Sequence, residues 1–263
     1  MDHDETLALF DRLTRRDAVA DSPGARVERV GPVVRQTGGA NDWNGVLWSD
    51  LDAGTADAAI AAQIAHFAAL GRDIEWKLYS HDLPVDLGER LEAAGFAAEP
   101  AETLMVVEAA ALDTSARPPE GVRLVDVTDA AGVELMIRAQ GEAFGDSPPR
   151  LREQLLGQLG LDTSVLTVAL AGDRPVCGAR TELDPASGFA GLWGGGTVPD
   201  WRGRGVYRAM VAHRARIALA RDHRHLRVDA SDESRPILER LGFTALSTTT
   251  PYLLPAPAAR RAP

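Results

Sequence analysis

The sequence predicts an α/β fold, a mixed β-sheet with flanking helices arranged in two lobes. Three observations carry this reading. From Gly121 onward, strand-like and helix-like segments alternate in the order β-α-α-β-β-β-α-β-α-β-β, as expected of a mixed sheet covered by helices. Within that half, TVPDWRGRGVYRAMVAHRARIALA (Thr197–Ala220) passes from a strand through a turn of alternating arginine and glycine into a helix. The segments Ile74–Phe96 and Leu226–Phe243 also share one succession of events: an alternating strand, a polar turn, a proline, a short helix containing Glu-Arg-Leu, then Gly-Phe. The spacing from Arg-Leu to Gly-Phe differs between the two, so the repeat is weak, but it points to two related halves.

The first half opens with a helix over Thr6–Arg16, followed by β-like ARVERVGPVVRQ and NGVLWSD. A helix over Thr55–Leu70 leads into the strand DIEWKLYS, a helix over Asp86–Ala94 and the strand ETLMVVE. The stretch from Ala109 to Gly121 is small, polar and proline-containing, which marks a boundary between lobes. The expected division is a lobe over residues 1–112, a linker over 113–120, a second lobe over 121–254 and a disordered tail over 255–263.

In the second half GVRLVDV reads as a strand, and Ala130–Phe144 as a helix with a modest apolar stripe. Pro149–Leu159 reads as a helix because Leu151, Leu155 and Leu159 recur every four residues. SVLTVALAG and RPVCGARTEL are strands joined by the turn Gly172-Asp173, and GFAGLWGGGTV is a third strand, rich in glycine. After the helix beyond Gly205 come the strand HLRVDAS, a short helix over Pro236–Leu241 with proline in its first turn, and a final β region from Phe243 to Leu254.

Composition excludes several function classes. A formal net charge of −10 argues against nucleic acid as the main partner, because a phosphate backbone demands a basic face. No apolar tract is long enough to span a bilayer, so no membrane partner is expected. The acidic beginning MDHDETLALF lacks the basic-then-apolar order of a secretory signal, and a cytoplasmic location follows as the expectation. The single cysteine, Cys177, rules out an intramolecular disulfide and a cysteine-based zinc cluster, and no metal site is expected. Nothing in the sequence specifies an oligomeric state; a homodimer is admitted.

The glycine-arginine turn is where chemistry concentrates. Helix N-termini carry unsatisfied amides and the positive end of the helix dipole, so a loop entering one favours negative charge. Gly203 and Gly205 lack Cβ atoms, which lets a ligand approach the main chain and permits positive φ, while Arg202 and Arg204 add charge. A diphosphate is the physically sensible occupant. The dinucleotide spacing G-x-G-x-x-G is absent from Gly194 or Gly203 onward, and no Gly-Lys-Ser/Thr of a P-loop follows.

The spacing Arg202-x-x-Gly205-x-Tyr207 resembles the acetyl-CoA-binding signature of the GNAT N-acetyltransferases, Gln/Arg-x-x-Gly-x-Gly/Ala, with Tyr207 departing from the final small residue. That signature lies between the family's fourth strand and third helix, the place of the turn here. SRPILERLGF is similar to the family's fourth helix and the Gly-Phe that follows. The resemblance covers Gly121–Leu254 and extends to the first half as a second, degenerate lobe. It implies that Gly196, Thr197 and Val198 offer main-chain groups to the pantetheine arm of acetyl-CoA. The amides from Gly203 through Arg204, Gly205, Val206 and Tyr207 to Arg208 would then cradle its diphosphate. The N-terminal counterpart of the turn, DLDAGTAD, has three aspartates and no arginine, so only the C-terminal lobe is expected to bind the cosubstrate.

The implied reaction is transfer of the acetyl group to a primary amine of a small molecule, by direct attack of the amine on the thioester. The family's usual catalytic side chains are missing: its fourth-helix tyrosine is replaced by Leu238, and no glutamate stands in GLWGGGTV. Glu182, Asp229, Ser231 and Tyr252 remain as candidates for proton transfer. Tyr207 in place of a small residue is expected to point outward. Because acid and base are not evident, a non-catalytic acyl-CoA-binding protein is the alternative reading.

Overall fold

The structure, a computed structural model, describes residues 2–145 and 150–257. In chain order it contains helix α1 (His3–Phe10), a π-helical continuation (Asp11–Arg16), strands β1 (Arg26–Val30), β2 (Val33–Thr37) and β3 (Gly45–Ser49), and helix α2 (Ala56–Leu70). Then follow β4 (Ile74–Tyr79), α3 (Leu87–Ala93), β5 (Ala97–Ala98), β6 (Glu102–Glu108), β7 (Val122–Asp126), α4 (Ala130–Phe144) and α5 (Leu151–Gly157). The remainder is β8 (Ser164–Ala171), β9 (Arg174–Asp184), β10 (Phe189–Thr197), α6 (Val206–Ala220), β11 (His225–Ala230), α7 (Arg235–Leu241) and β12 (Thr244–Leu254). This is the expected mixed α/β architecture. The start of the helix expected from Pro149 and the tail over 258–263 lie outside the described residues.

The chain forms two compact units whose limits differ from the linker read in the sequence. One holds Asp2–Leu104, Ala230–Asp232 and the described chain from Leu246 onward; the other holds Met105–Asp229 and Glu233–Ala245. The last β region belongs mainly to the N-terminal unit and is one strand, where two were expected. It pairs antiparallel with β4, Tyr252 opposite Trp76 and Leu254 opposite Ile74.

In the N-terminal unit the sheet order is β1-β2-β3-β4-β12, with β5 also on β12. Helix α2 buries Ala56, Ile60, Gln63 and Phe67, a stripe at helical spacing, against a core that includes Trp76, Leu87, Leu91, Phe96 and Tyr252. Arg15 lies 3 % exposed beneath this sheet. Its guanidinium donates to Asp82 at 2.6 and 2.8 Å, to Asp11 at 2.6 Å and to the Leu47 carbonyl at 3.0 Å, and it stacks over the Tyr79 ring. A guanidinium with four acceptors offsets the desolvation cost that would otherwise forbid its burial.

In the C-terminal unit the order is β6-β11-β10-β9-β8-β7. Strands β8 and β9 read as nearly continuous apolar runs because both of their faces are covered. On one face Val133 and Met136 of α4 and Leu155 of α5 pack with Leu166 and Val168. On the other, Val206 and Met210 of α6 pack with Ala169, Val176, Cys177 and Ala179. The repeat seen in the sequence has a structural counterpart. Helices α3 and α7 both end at a glycine with φ near +100° (Gly95 and Gly242), followed by a buried phenylalanine, Phe96 or Phe243.

Candidate functional site

The site is built where β10 leaves β11. The two strands run parallel and are in register only over Phe189–Gly191 and His225–Arg227. Beyond that point β10 is irregular between Trp193 and Gly196, and Gly194 sits at φ +59°. Such a bulge turns main-chain groups away from the ladder. The strand runs into Thr197 and Val198, both buried, then a single 3-10 turn over Pro199–Trp201 and the glycine-arginine turn.

That turn has the geometry the sequence calls for. Gly203 and Gly205 adopt φ +72° and +86°, a region in which other residues are strained, and nothing lies within 4 Å of where a Cβ on either would stand. Gly205 is the N-cap of α6, and no side chain caps the helix. Its first amides therefore face an open, anion-favouring end. Arg204 and Arg208 are exposed beside it; Arg204 stacks over Trp201 at 4.9 Å, and Arg208 pairs with Asp113 at 3.0 Å.

Arg202 is placed differently from the sequence expectation of a charge for the diphosphate. Its Nε donates to the Thr197 carbonyl at 3.2 Å and its Nη2 to the Ala143 carbonyl at 3.0 Å, so it ties the turn to the end of α4. Tyr207 also departs from expectation. It turns inward, half-buried, against Gly195 and beside the guanidinium of Arg214. The glycines of β10 are needed for these approaches. A Cβ at Gly195 would stand 3.0 Å from Arg214 Nη2 and 3.2 Å from Tyr207 Cε2. One at Gly196 would collide with the Phe144 ring, and one at Gly194 with Gln140, whose Nε2 donates to the Gly194 carbonyl at 3.0 Å.

Next to the turn, α6 and α7 enclose a cavity of 390 Å³ lined by Arg208, Val211, Ala212, Ile237, Arg240 and Leu241, with Leu112 and Asp113 at its rim. It combines apolar walls with two arginines.

The N-terminal turn between β3 and α2 is closed by its own carboxylate. Asp52 Oδ1 accepts from the Gly54 and Thr55 amides and from the Thr55 hydroxyl, each at 2.9 Å. These bonds, the hydroxyl first, hold the Asp52 carboxyl below its ordinary value. The amides that a ligand anion would use are occupied by an internal anion.

The four proton-transfer candidates have different surroundings. Glu182 on β9 pairs with Arg180 at 3.0 Å and accepts from Gln158 Nε2 at 3.4 Å. Asp229 stands near the end of β11 in the C-terminal unit, half-buried. Ser231 is exposed and belongs to the N-terminal unit. Tyr252 is a packed ring of the N-terminal core, its hydroxyl directed at Gly88, with burial raising its pKa. Trp193 is half-buried, and Arg227 of the neighbouring strand stacks over it at 5.3 Å. Sequence reasoning missed Arg214. Its signal was present, because Val206, Met210 and Arg214 share one stripe of α6 and a charge there interrupts an apolar face.

No protein-family model and no curated protein matches the sequence. Solved structures do match the fold. A GCN5-related N-acetyltransferase from Kribbella flavida superposes with a TM-score of 0.69 at 19% identity, over 95% of each chain. A conserved protein of unknown function from Staphylococcus epidermidis gives 0.68 at 13%, over 94% of this chain and 100% of the other. A tandem GNAT protein from the clavulanic acid biosynthesis pathway gives 0.58 at 15%, over 97% of this chain and 96% of that one. Identities this low establish the fold alone, and they do so over nearly the whole length: the chain has the fold of the GCN5-related N-acetyltransferases.

Proposed function

We propose that the protein is an N-acyltransferase that binds acetyl-CoA in its C-terminal unit and transfers the acetyl group to a primary amine of a small molecule. The observation that carries this reading is the contrast between the two turns. The C-terminal helix end is uncapped, glycine-lined and flanked by arginines, whereas Asp52 fills the N-terminal one. The residues present suit the ligand. The amides of Gly203–Arg208 would hold the diphosphate, the β10 main chain from Gly196 to Val198 the pantetheine arm, and the arginine-bearing cavity between α6 and α7 the nucleotide end.

Bound there, acetyl-CoA supplies an activated acyl group. The chain's contribution is to align it beside an amine and to offer main-chain N–H groups to developing negative charge. Arg202 keeps the turn in register with α4, and Glu182 on β9 is our candidate to accept a proton.

Calorimetry with acetyl-CoA tests binding. Wild type should bind, and Gly205→Glu should weaken binding at least tenfold by placing a carboxylate at the helix end; no binding at millimolar ligand, or none of this loss, sinks the reading. A screen of amines for thiol release tests catalysis. The absence of the family's usual acid and base from α7 and β10 favours the second reading, a non-catalytic acyl-CoA-binding protein, which would show intact binding with no release from any amine.

A further inference from the structure

Arg214 is 1 % exposed, in the middle of α6 where the helix packs under β9 and β10. Its guanidinium lies against Gly195 of the bulge, beside the Tyr207 ring. Its Nε and Nη1 hydrogens find no acceptor among the described residues. Arg15, buried to the same degree in the other unit, meets two carboxylates and a carbonyl. Arg214 meets none.

The titratable groups nearest to it do not supply a counter-charge. Burial pushes the Cys177 thiol up to about 11 and raises the Tyr207 phenol, so both are neutral at pH 7. Burial also acts to lower the pKa of Arg214 itself, yet a guanidinium keeps its proton in proteins. An uncompensated buried cation is strongly unfavourable. It is therefore a strong receptor for an anionic oxygen that can reach it.

Position selects the source of that oxygen. Arg214 lies about 12 Å along the helix from Val206, two turns beyond the amides suited to the diphosphate. It stands at the bulge of β10, past the segment suited to the pantetheine arm. Resting on the acyl-CoA reading above, we propose that Arg214 recognises the far end of the acyl group, and that the preferred donor is a CoA thioester of a dicarboxylic acid, whose free carboxylate pairs with the guanidinium. Tyr207, packed against the same glycine, fills the wall beside it.

The test is calorimetric titration of the full chain with coenzyme A, acetyl-CoA and succinyl-CoA. Wild type should bind succinyl-CoA at least tenfold more tightly than acetyl-CoA. Arg214→Met should bring the two thioesters to equal affinity, with coenzyme A affinity retained and the melting temperature unchanged or raised, since a packed apolar side chain replaces an unpaired charge. Arg214→Lys, which keeps the charge on a shorter reach, should retain part of the preference and serves if the Met variant does not fold. Equal binding of the two thioesters by wild type overturns the proposal and leaves the CoA reading intact. So does a preference that survives Arg214→Met, or a Met variant that folds but melts well below wild type, which marks Arg214 as structural. Failure of all three ligands to bind wild type overturns both.

Discussion

At the scale of single residues, the C-terminal unit shows how identical chemistry takes different roles by placement. Four of the arginines in the glycine-arginine turn and the helix after it each do something different. Arg202 braces two carbonyls, Arg204 lies on Trp201, Arg208 pairs with Asp113, and Arg214 is sealed under the sheet. The motif spacing identified the turn, but spacing says nothing of where a long flexible side chain ends. Cys177 illustrates the converse, a residue whose inertness follows directly from burial. It is fully enclosed between β9 and α6, and desolvation pushes its thiol up to about 11. A native sample should therefore react with a thiol reagent such as DTNB at pH 8 orders of magnitude more slowly than a sample in guanidinium chloride. Rapid stoichiometric reaction of the native protein would contradict that enclosure.

At the scale of elements, α1 and its π-helical continuation are tied to the N-terminal sheet by the buried Phe10 ring against Tyr79 and by Arg15. Removing one partner of a buried pair leaves the other charge stranded, so Asp82→Ala should cost about 3–5 kcal/mol, measured by chemical denaturation. Asp11 adds a pH dependence. Burial acts to raise its pKa, but the hydrogen bond from His81 and the charge and hydrogen bonds of Arg15 outweigh it, and the folded value lies below the ordinary 3.8. A depressed carboxylate contributes stability above its unfolded pKa and loses that contribution as pH falls through the folded one. The stability difference between wild type and Asp11→Asn should thus be present at about pH 6 and shrink in strongly acidic buffer; a difference that grows on acidification would reverse the sign. None of this network was legible beforehand. Arg15, Asp11, His81 and Asp82 are ordinary surface-type residues in sequence, and only the packing of α1 against the chain near β4 makes them a buried cluster.

At the scale of the whole molecule, the chain is not divided where its composition changes. The stretch from Ala109 reads as a linker because it is small, polar and rich in proline, yet the N-terminal unit is completed only by residues from Leu246 onward. Tyr252 and Leu254 close the core around Trp76 and Leu87, and a large apolar side chain contributes about 1.5–3 kcal/mol when buried. A fragment of residues 1–112 should therefore lack cooperative unfolding and bind ANS, while the same fragment supplemented with a peptide covering 246–257 should recover. A cooperative melt of the 1–112 fragment alone would refute this division.

The sequence by itself determined most of the elements and their order, though not that the last β region is one strand, together with the glycine-arginine turn and the absence of such a turn in the first half. These depend on local periodicity, on glycines that alone tolerate φ near +80°, and on the sign of nearby charge, all of which are written residue by residue. Tertiary structure alone decided which unit receives the last strand, which arginines are spent on structure, and that Tyr207 and Arg214 meet beneath Gly195. Those outcomes depend on burial by segments distant in sequence, and burial converts an ordinary arginine into either a brace or an unmatched charge.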